Sequence, residues 1–422
     1  MTPAIPLRLV LGAIFPFTCA YFLSYLLRAV NAVIAPDLVA EFGLGPAELG
    51  LLTSAFLIAF SLAQLPLGIL LDRYGPRRVQ AATLLIAAAG SGLFAVAPNF
   101  ASLAIARGMI GFGFAVGLMA CFKATSLWIP AERRALANSC VMVIGAAGLL
   151  AATAPSEILA HAVGWRATFL LFTGFILLSA LYIFFAVPQT HEGGGSSAFS
   201  TQFRELLGIM KLPVFWRVAP LLSLTAGAQI AIQTLWAGPW FHDVMRLSHE
   251  ESARNLTWMA LAFMAGILAV GVVTDGLARR GVHPLTVMVG FLVPYLAAQF
   301  IILFGPLSWA LPAWLVMAAG GQAAIVAYPW LAEHVGNRLA GRSNAAINFT
   351  MFVTACIIQY VIGIIIGMFA PVGDGYSPEA YGWAFGLFLA LQLLALAWYV
   401  FGPIGSLGDR PVTEESPQCP IP

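Results

Sequence analysis

Arg28 is the charged side chain of this sequence whose position most needs a chemical explanation. It lies within "YFLSYLLRAVNAV", residues 21–33, and no other charge occurs between residues 9 and 36. A charge at membrane depth costs at least about 2.5 kcal/mol, so it usually faces a protein interior or a watery cavity. A guanidinium there can bind an anion, because its planar fork of donors matches a carboxylate. Four polar residues share its helical face: Tyr21, Ser24, Tyr25 and Asn31.

The composition places this arginine in an integral membrane protein. Of the 422 residues, 60% are hydrophobic and 9% are charged, whereas soluble domains carry about 25% charged residues. Between charges and Pro/Gly breaks we count twelve apolar segments, each close to the roughly 20 residues of a spanning helix. They cover about residues 9–35, 47–71, 79–97, 101–127, 135–158, 164–187, 215–241, 252–275, 284–304, 309–332, 343–370 and 379–402. The expected fold class is therefore an all-α membrane protein.

The twelve segments fall into two related halves. A Gly/Ser-rich stretch at 189–213 predicts a flexible cytoplasmic linker between bundles at 1–188 and 214–402, followed by a tail at 403–422. Four pairs of identical residues lie 203 positions apart: Pro36 and Pro239, Leu44 and Leu247, Gly68 and Gly271, Asp72 and Asp275. A 6+6 duplication is a common plan of secondary transporters.

The basic residues predict the orientation. With the N-terminus inside, fourteen arginines and lysines of the loops and ends are cytoplasmic and three, Arg166, Arg246 and Arg254, are outside. This positive-inside asymmetry predicts cytoplasmic N- and C-termini. We expect a multi-pass protein of a bacterial-type inner membrane.

The loop after the second segment carries a recognisable motif. It is "GILLDRYGPRR" at 68–78, with a degraded copy "GVVTDGLARRG" at 271–281. Together with "RGMIGFG" at 107–113 and "GWRATF" at 164–169, it resembles the signature of the major facilitator superfamily. The resemblance implies two six-helix bundles, a monomer, transport by alternating access, and a gating role for the motif residues. Those residues are Gly68, Asp72, Arg73, Arg77, Asp275 and Arg279.

The resemblance also implies which residues line a cavity. Its helices 1, 4, 7 and 10 surround the substrate in that family, and Asp72 clasps the start of helix eleven, here near Ser343. On these helices and helix eleven, the candidate substrate contacts besides the Arg28 face are Lys123, Gln229, Gln233, Trp236, Trp240, Gln322, Tyr328, Asn348 and Gln359. Lys123 lies seven residues before Pro130, or about 10 Å into the membrane.

A cavity with several cations and almost no acid favours an anion over a cationic drug. The spacing "YFLSYLLR" is similar to the first helix of organophosphate antiporters and anion:cation symporters. Ala231, at the duplicated position of Arg28, is not basic, so we expect a carboxylate rather than a phosphate ester. Drug or metabolite efflux by the same superfamily is the alternative.

The sequence gives weaker signals about the coupling ion and about other classes of function. Protons are the candidate coupling ion, with Glu157 as the acid and Arg107 as a residue that the family motif links to structure or coupling. The six histidines lack the spacing of a metal site, so we expect no cofactor, no metal, no catalytic centre and no nucleic-acid partner. A membrane enzyme is disfavoured for the same reason. A sensor is disfavoured because no soluble domain is predicted that could transmit a signal. The expected partners are a small anionic solute, protons and the lipid bilayer.

Overall fold

The computed structural model describes residues 10–189, 199–335, 339–373 and 375–402. In these ranges the regular structure is helical, apart from one bridge between Val372 and Gly375. The all-α class is therefore confirmed. The basic residues Arg8, Arg338 and Arg410 of the orientation argument lie outside the described residues.

The described part of the first predicted bundle, from residue 10 onward, contains eight α-helices. They are α1 (Phe15–Ala29), α2 (Asn31–Phe42), α3 (Pro46–Ala95), α4 (Phe100–Phe114), α5 (Gly117–Trp128), α6 (Ala131–Ala151), α7 (Ala154–Val163) and α8 (Trp165–Ala186). The long α3 combines two predicted segments, and Gly75 interrupts it with φ 78° and ψ 164°. Residues with a side chain rarely adopt a positive φ, whereas glycine does so readily. Gly75 of the motif can therefore make the turn between the two spans.

Nine α-helices follow in the described ranges after residue 198. They are α9 (Phe199–Met210), α10 (Pro213–Ala231), α11 (Ala237–Asp243), α12 (His249–Ala278), α13 (Pro284–Phe304), α14 (Ala310–Gly320), α15 (Ala327–Val335), α16 (Ala340–Gly367) and α17 (Pro378–Phe401). A π-turn at Ile232–Trp236 joins α10 to α11, and a 3₁₀ segment at Gly321–Val326 joins α14 to α15.

Most of the segments predicted to span the membrane are long apolar helices in the structure. Among the described residues, ten helices are long and apolar enough to cross a membrane, or eleven when the bent pair Ala137–Ala151 and Ala154–Val163 counts as one span. The remaining predicted segment, 309–332, is divided by the 3₁₀ segment. Its first part belongs to the shorter apolar helix Leu307–Gly320. Two successive glycines, Gly320 and Gly321, lie at the division, where the missing side chains weaken a helix.

The predicted linker contains a helix. The Gly/Ser-rich composition of 189–213 favoured an irregular connection, but α9 occupies residues 199–210. Its Leu206 and Ile209 are buried, and Glu205 Oε2 lies 2.7 Å from Nε of Arg342 near the start of α16. Apolar residues at this spacing form one helical face, which explains why the second part of the linker is ordered as a helix.

The chain divides into two compact units. One comprises Met1–Ser196 with Gln233–Ala260, and the other comprises Ser197–Ile232 with Leu261–Pro422. Residues 233–260, which the repeat assigns to the second half, therefore pack with the first half. In the first unit, the backbone carbonyl of Ala32 lies 2.7 Å from where a Cβ of Gly238 would stand. Helices α2 and α11 can approach this closely only because residue 238 has no side chain.

Candidate functional site

Arg28 is buried in the last turn of α1, with only 9% of its surface exposed. Its guanidinium carbon lies 4.8 Å from the ring centre of Phe60, 5.0 Å from Tyr25 and 5.9 Å from Phe56. Aromatic faces attract a cation through their quadrupole, and this attraction grows when water is excluded. The aromatic rings therefore offset part of the cost of a buried cation and hold it at one place.

The polar face predicted beside Arg28 is buried in the first unit. Tyr21 is 5% exposed and Ser24 is 1% exposed. The rings of Tyr21 and Tyr25 meet edge to face, with centroids 5.2 Å apart. Gly145 of α6 packs against the ring of Tyr21, where a Cβ would overlap it. This close packing fixes α1 against α6 and orients the two tyrosines.

Asn31 contacts a neighbouring helix. Its side-chain Nδ2 donates a 2.9 Å hydrogen bond to Thr53 Oγ1 of α3, and the residue is fully buried. Within the described part of the chain, its Oδ1 has no hydrogen-bond partner. The contact with Thr53 holds the break between α1 and α2 in place. Asn31 as a substrate contact stays a prediction.

Arg107 acts on the backbone next to Arg28. Its Nη1 donates a 2.7 Å hydrogen bond to the carbonyl oxygen of Leu27, and its guanidinium lies 4.8 Å from the ring centre of Phe94 and 5.5 Å from that of Phe169. Its side chain is fully buried. The arrangement gives Arg107 a structural contact with the end of α1. Its predicted link to coupling remains a prediction.

Lys123 pairs with the aspartate of the motif. Its Nζ lies 3.5 Å from Oδ1 of Asp72, and both side chains are partly exposed. A separation of this length between partly exposed groups corresponds to a weak, exchangeable ion pair. Lys123 was predicted as a substrate contact and Asp72 as a gating residue. The structure brings these two roles together, and both stay predictions.

The other motif residues lie near these two groups or on the surface. Arg73 stacks on Tyr74 at 5.3 Å and Arg77 on Phe184 at 5.2 Å. A Cβ on Gly68 would meet only Met119 Sδ, at 3.8 Å, which is an ordinary contact. In the degraded copy, Asp275 and Arg279 are exposed. Their gating role stays a prediction.

The polar stripe predicted on one face of the seventh segment crosses a π-turn. Gln233 and Trp236 lie in that turn, between Gln229 on α10 and Trp240 on α11, and all four are buried. A π-turn has i→i+5 hydrogen bonds, so the residues before and after it do not keep the spacing of one α-helical face. Gln229 packs against Gly321. The stripe as a single face, inferred from spacing alone, is therefore wrong.

Two candidates from later helices meet directly. Tyr328 Oη donates a 2.6 Å hydrogen bond to Oδ1 of Asn348, so α15 and α16 are joined at this level. Gln359 is fully buried on α16. The side chain of Gln322 lies outside the described residues. Binding roles for these residues remain predictions.

Glu157 lies in the first turn of α7 and is half-buried. Its backbone N–H donates to the carbonyl of Thr153 at 3.0 Å. The structure thus places it at the helix end where the sequence did. Its role in coupling stays a prediction.

Phe56 and Phe60 are contacts that the sequence analysis did not identify. They stack on each other at 5.9 Å and both contact Arg28. Their i, i+4 spacing in an apolar helix indicates one face, but it does not indicate which helix that face meets. More broadly, the described buried charged residues are Arg28, Arg107, Arg217 and Asp243. The electropositive cavity expected from the sequence stays a prediction.

The family model of the Major Facilitator Superfamily matches residues 17–358. The chain belongs to this superfamily. Members of this superfamily are transporters and not enzymes, and the chain is a multi-pass membrane protein. The resemblance inferred from the motif at 68–78 is confirmed.

Known relatives include transporters named for organic acids. The chain is 28% identical to the probable sulfoacetate transporter SauU of Cupriavidus necator, over 62% of this chain and 64% of that protein. It is 23% identical to a probable L-galactonate transporter of Escherichia coli, over 85% of this chain and 80% of that protein. The matched regions span 27% and 64% of the length of the first two curated relatives.

A solved structure shows the same fold. A bacterial homologue of the human lysosomal transporter Spinster superposes with a TM-score of 0.71 at 19% sequence identity, covering 92% of this chain and 95% of that protein. The expected major facilitator fold is thereby confirmed.

Proposed function

We propose that this protein is a secondary active transporter of a small organic anion, a carboxylate or a similar oxyanion, which works by alternating access. The observation that carries the proposal is the burial of Arg28 against Tyr25 and Phe60 on the membrane-spanning helix α1. A guanidinium at this depth compensates an anion for the hydration shell it loses. Tyr21 and Ser24, next to it on α1, supply hydroxyl groups of the kind that bind anion oxygens.

The relatives support an anionic substrate. Sulfoacetate and L-galactonate, after which two relatives are named, both carry a carboxylate and are negatively charged at neutral pH. The buried Ala231 at the duplicated position of Arg28 is not basic, so the second arginine of a paired phosphate clamp is absent, and this favours a carboxylate over a phosphate ester. We propose the same substrate class for this chain.

Lys123 is proposed as a second anion contact, nearer to the motif. Its 3.5 Å contact with Asp72 is weak enough for a carboxylate of the substrate to replace it. Under this proposal Asp72 competes with the substrate for Lys123, and release follows when Asp72 regains the ammonium. We further propose proton coupling with Glu157 as the acid, a monomer, and an inner-membrane location with both termini cytoplasmic.

Flux into proteoliposomes tests the proposal. Purified protein should take up radiolabelled sulfoacetate or a hexonate such as galactonate, and excess unlabelled carboxylates should compete. Equal concentrations of inorganic phosphate and of a cationic dye such as ethidium should compete weakly or not at all. Transport of ethidium without competition from any carboxylate would contradict the anion proposal and support drug efflux.

A further inference from the structure

The linker helix α9 packs on α16 with one of its faces. Leu206 and Ile209 of this face are buried, and beside them Glu205 Oε2 lies 2.7 Å from Nε of Arg342. Glu205 is the only acidic residue in the sequence of α9. Because this carboxylate is paired with Arg342, the rest of the helix surface carries no negative side chain.

The second face of α9 is apolar and exposed. Phe203 and Leu207 are 43% and 42% exposed, and they lie one helical turn apart on the same side of the helix. At about 100° per residue, this side adjoins the buried side at Leu206 without being part of it. Water would hydrate these two side chains at a cost in free energy, whereas the hydrocarbon edge of a bilayer would cover them.

The third face of α9 is basic. Arg204 and Lys211 are both exposed, and their seven-residue spacing puts them two turns apart on one side, next to the apolar face. Lys211 follows the last residue of α9, but its backbone N–H still donates to the carbonyl of Leu207 at 3.2 Å, so the helical spacing extends to it. An exposed apolar face bordered by cations is typical of helices that lie in the membrane interface.

Two tryptophans connect the end of α9 to the ends of spanning helices. Trp216 lies in the first turn of α10, where a span begins at Pro213, and Trp398 lies in the last turn of α17, where a span ends at Phe401. Both are exposed. Trp216 Nε1 donates to the Met210 carbonyl of α9 at 2.6 Å, and Trp398 Nε1 donates to the Trp216 carbonyl at 3.0 Å. Since tryptophan is enriched at the membrane–water boundary, these contacts fix the last turn of α9 at that level.

From this arrangement we propose that α9 is a lipid-binding helix, whose apolar face enters the acyl-chain boundary and whose basic face binds the headgroups of anionic phospholipids. The charge decides this occupant. Arg204 and Lys211 attract the phosphate of a headgroup that has no cation of its own, such as that of phosphatidylglycerol, and each basic residue near an anionic surface strengthens the binding. The anion site around Arg28 takes no part in this contact.

Collision measurements on the full-length protein test whether the apolar face enters the bilayer. A nitroxide is attached at Leu207→Cys in lipid nanodiscs, with the five native cysteines replaced. Its collisions with oxygen, which concentrates in hydrocarbon, are compared with its collisions with a water-soluble nickel chelate. Phe203→Cys is a second site on the same face. The reference sites are Leu394→Cys on α17 and Arg280→Cys after α12, which are both exposed.

The ratio of oxygen to nickel collisions at Leu207 should exceed that at Arg280 several-fold and approach that at Leu394. A ratio like that of Arg280 would mean that α9 lies in water. Shielding from both reagents would mean that protein covers this face. Either result overturns the proposal.

Quenching by brominated lipids tests the headgroup preference. A fluorophore at Leu207→Cys should be half-quenched at a lower fraction of brominated phosphatidylglycerol than of brominated phosphatidylcholine, by about fivefold for each of the two basic residues. The double variant Arg204→Gln with Lys211→Gln should lose this preference. The matched control, Arg254→Gln with Arg280→Gln, removes two exposed arginines elsewhere and should keep it. Equal quenching by both lipids in the parent, or an equal loss in the control, overturns the proposal.

Discussion

The ammonium nitrogen of Lys123 lies 3.5 Å from Oδ1 of Asp72, so a cation on α5 contacts the aspartate of the family motif on α3. The two side chains are 27% and 56% exposed, and pairs of this kind contribute at most about 1 kcal/mol to stability. The pair therefore contributes little to folding, and we propose that it acts in the transport cycle instead.

Replacing either member of this pair should slow transport without unfolding the protein. Asp72→Asn and Lys123→Ala should each lower the rate of anion uptake several-fold and change the melting temperature by no more than about 2 °C. Because the residues act on each other, the double variant should transport about as slowly as the slower single variant. Uptake by the four proteins in proteoliposomes measures this cycle, and independent, multiplicative effects would show that the contact has no role in transport.

Arg107 should be more important for stability than Arg28. Arg107→Ala removes the 2.7 Å hydrogen bond to the Leu27 carbonyl and leaves a cavity between Phe94 and Phe169. We expect a loss of about 2–4 kcal/mol. Arg28→Ala should cost less than about 1 kcal/mol, since removal of a buried cation relieves a desolvation cost. Thermal melting in detergent compares the two variants, and equal melting temperatures would contradict the structural role of Arg107.

Close helix packing should make Gly148 intolerant of a side chain. A Cβ there would overlap the carbonyl of Phe22, so Gly148→Ala should force α1 and α6 apart and cost about 1–3 kcal/mol. The control is Gly174→Ala on α8, where a Cβ meets nothing within 4 Å. That change should be neutral or stabilising by up to about 1 kcal/mol. If Gly148→Ala melts no lower than the parent, as Gly174→Ala should, the packing of α1 on α6 is looser than described.

Glu41 should contribute to the loss of thermal stability of the protein at acidic pH. Arg166 Nη2 donates a 2.6 Å hydrogen bond to Glu41 Oε1, and Trp165 Nε1 donates a 2.9 Å hydrogen bond to Oε2. These bonds lower the pKa of Glu41, so their stabilisation is present above the ordinary pKa of glutamate and is lost as the pH falls through the lowered value. Glu41→Gln should therefore reduce the melting temperature at pH 7 and flatten its decline below pH 5. A parallel decline in parent and variant would exclude this contribution.

The sequence predicted most of the spanning segments and the buried Arg28 because these depend on composition and local charge. The sequence could not predict which side chains contact each other across different helices. Phe56 and Phe60 reach Arg28, and Asp72 reaches Lys123, only through the packing of α3 on its neighbours. Departures from α-helical spacing were missed for a related reason. The π-turn at Ile232–Trp236 and the 3₁₀ segment at Gly321–Val326 carry apolar residues that fit an α-helix equally well.

The affinity of purified Arg28 variants for an anion tests the central claim most directly. Binding of the best-competing carboxylate, measured by calorimetry, should weaken about 30-fold to 1000-fold in Arg28→Ala, corresponding to about 2–4 kcal/mol. Arg28→Lys should fall between this variant and the parent, because lysine keeps the charge but not the planar fork. Arg254→Ala, which removes an exposed arginine, should bind like the parent. An Arg28→Ala protein that is monodisperse and binds the carboxylate as tightly as the parent would contradict the account.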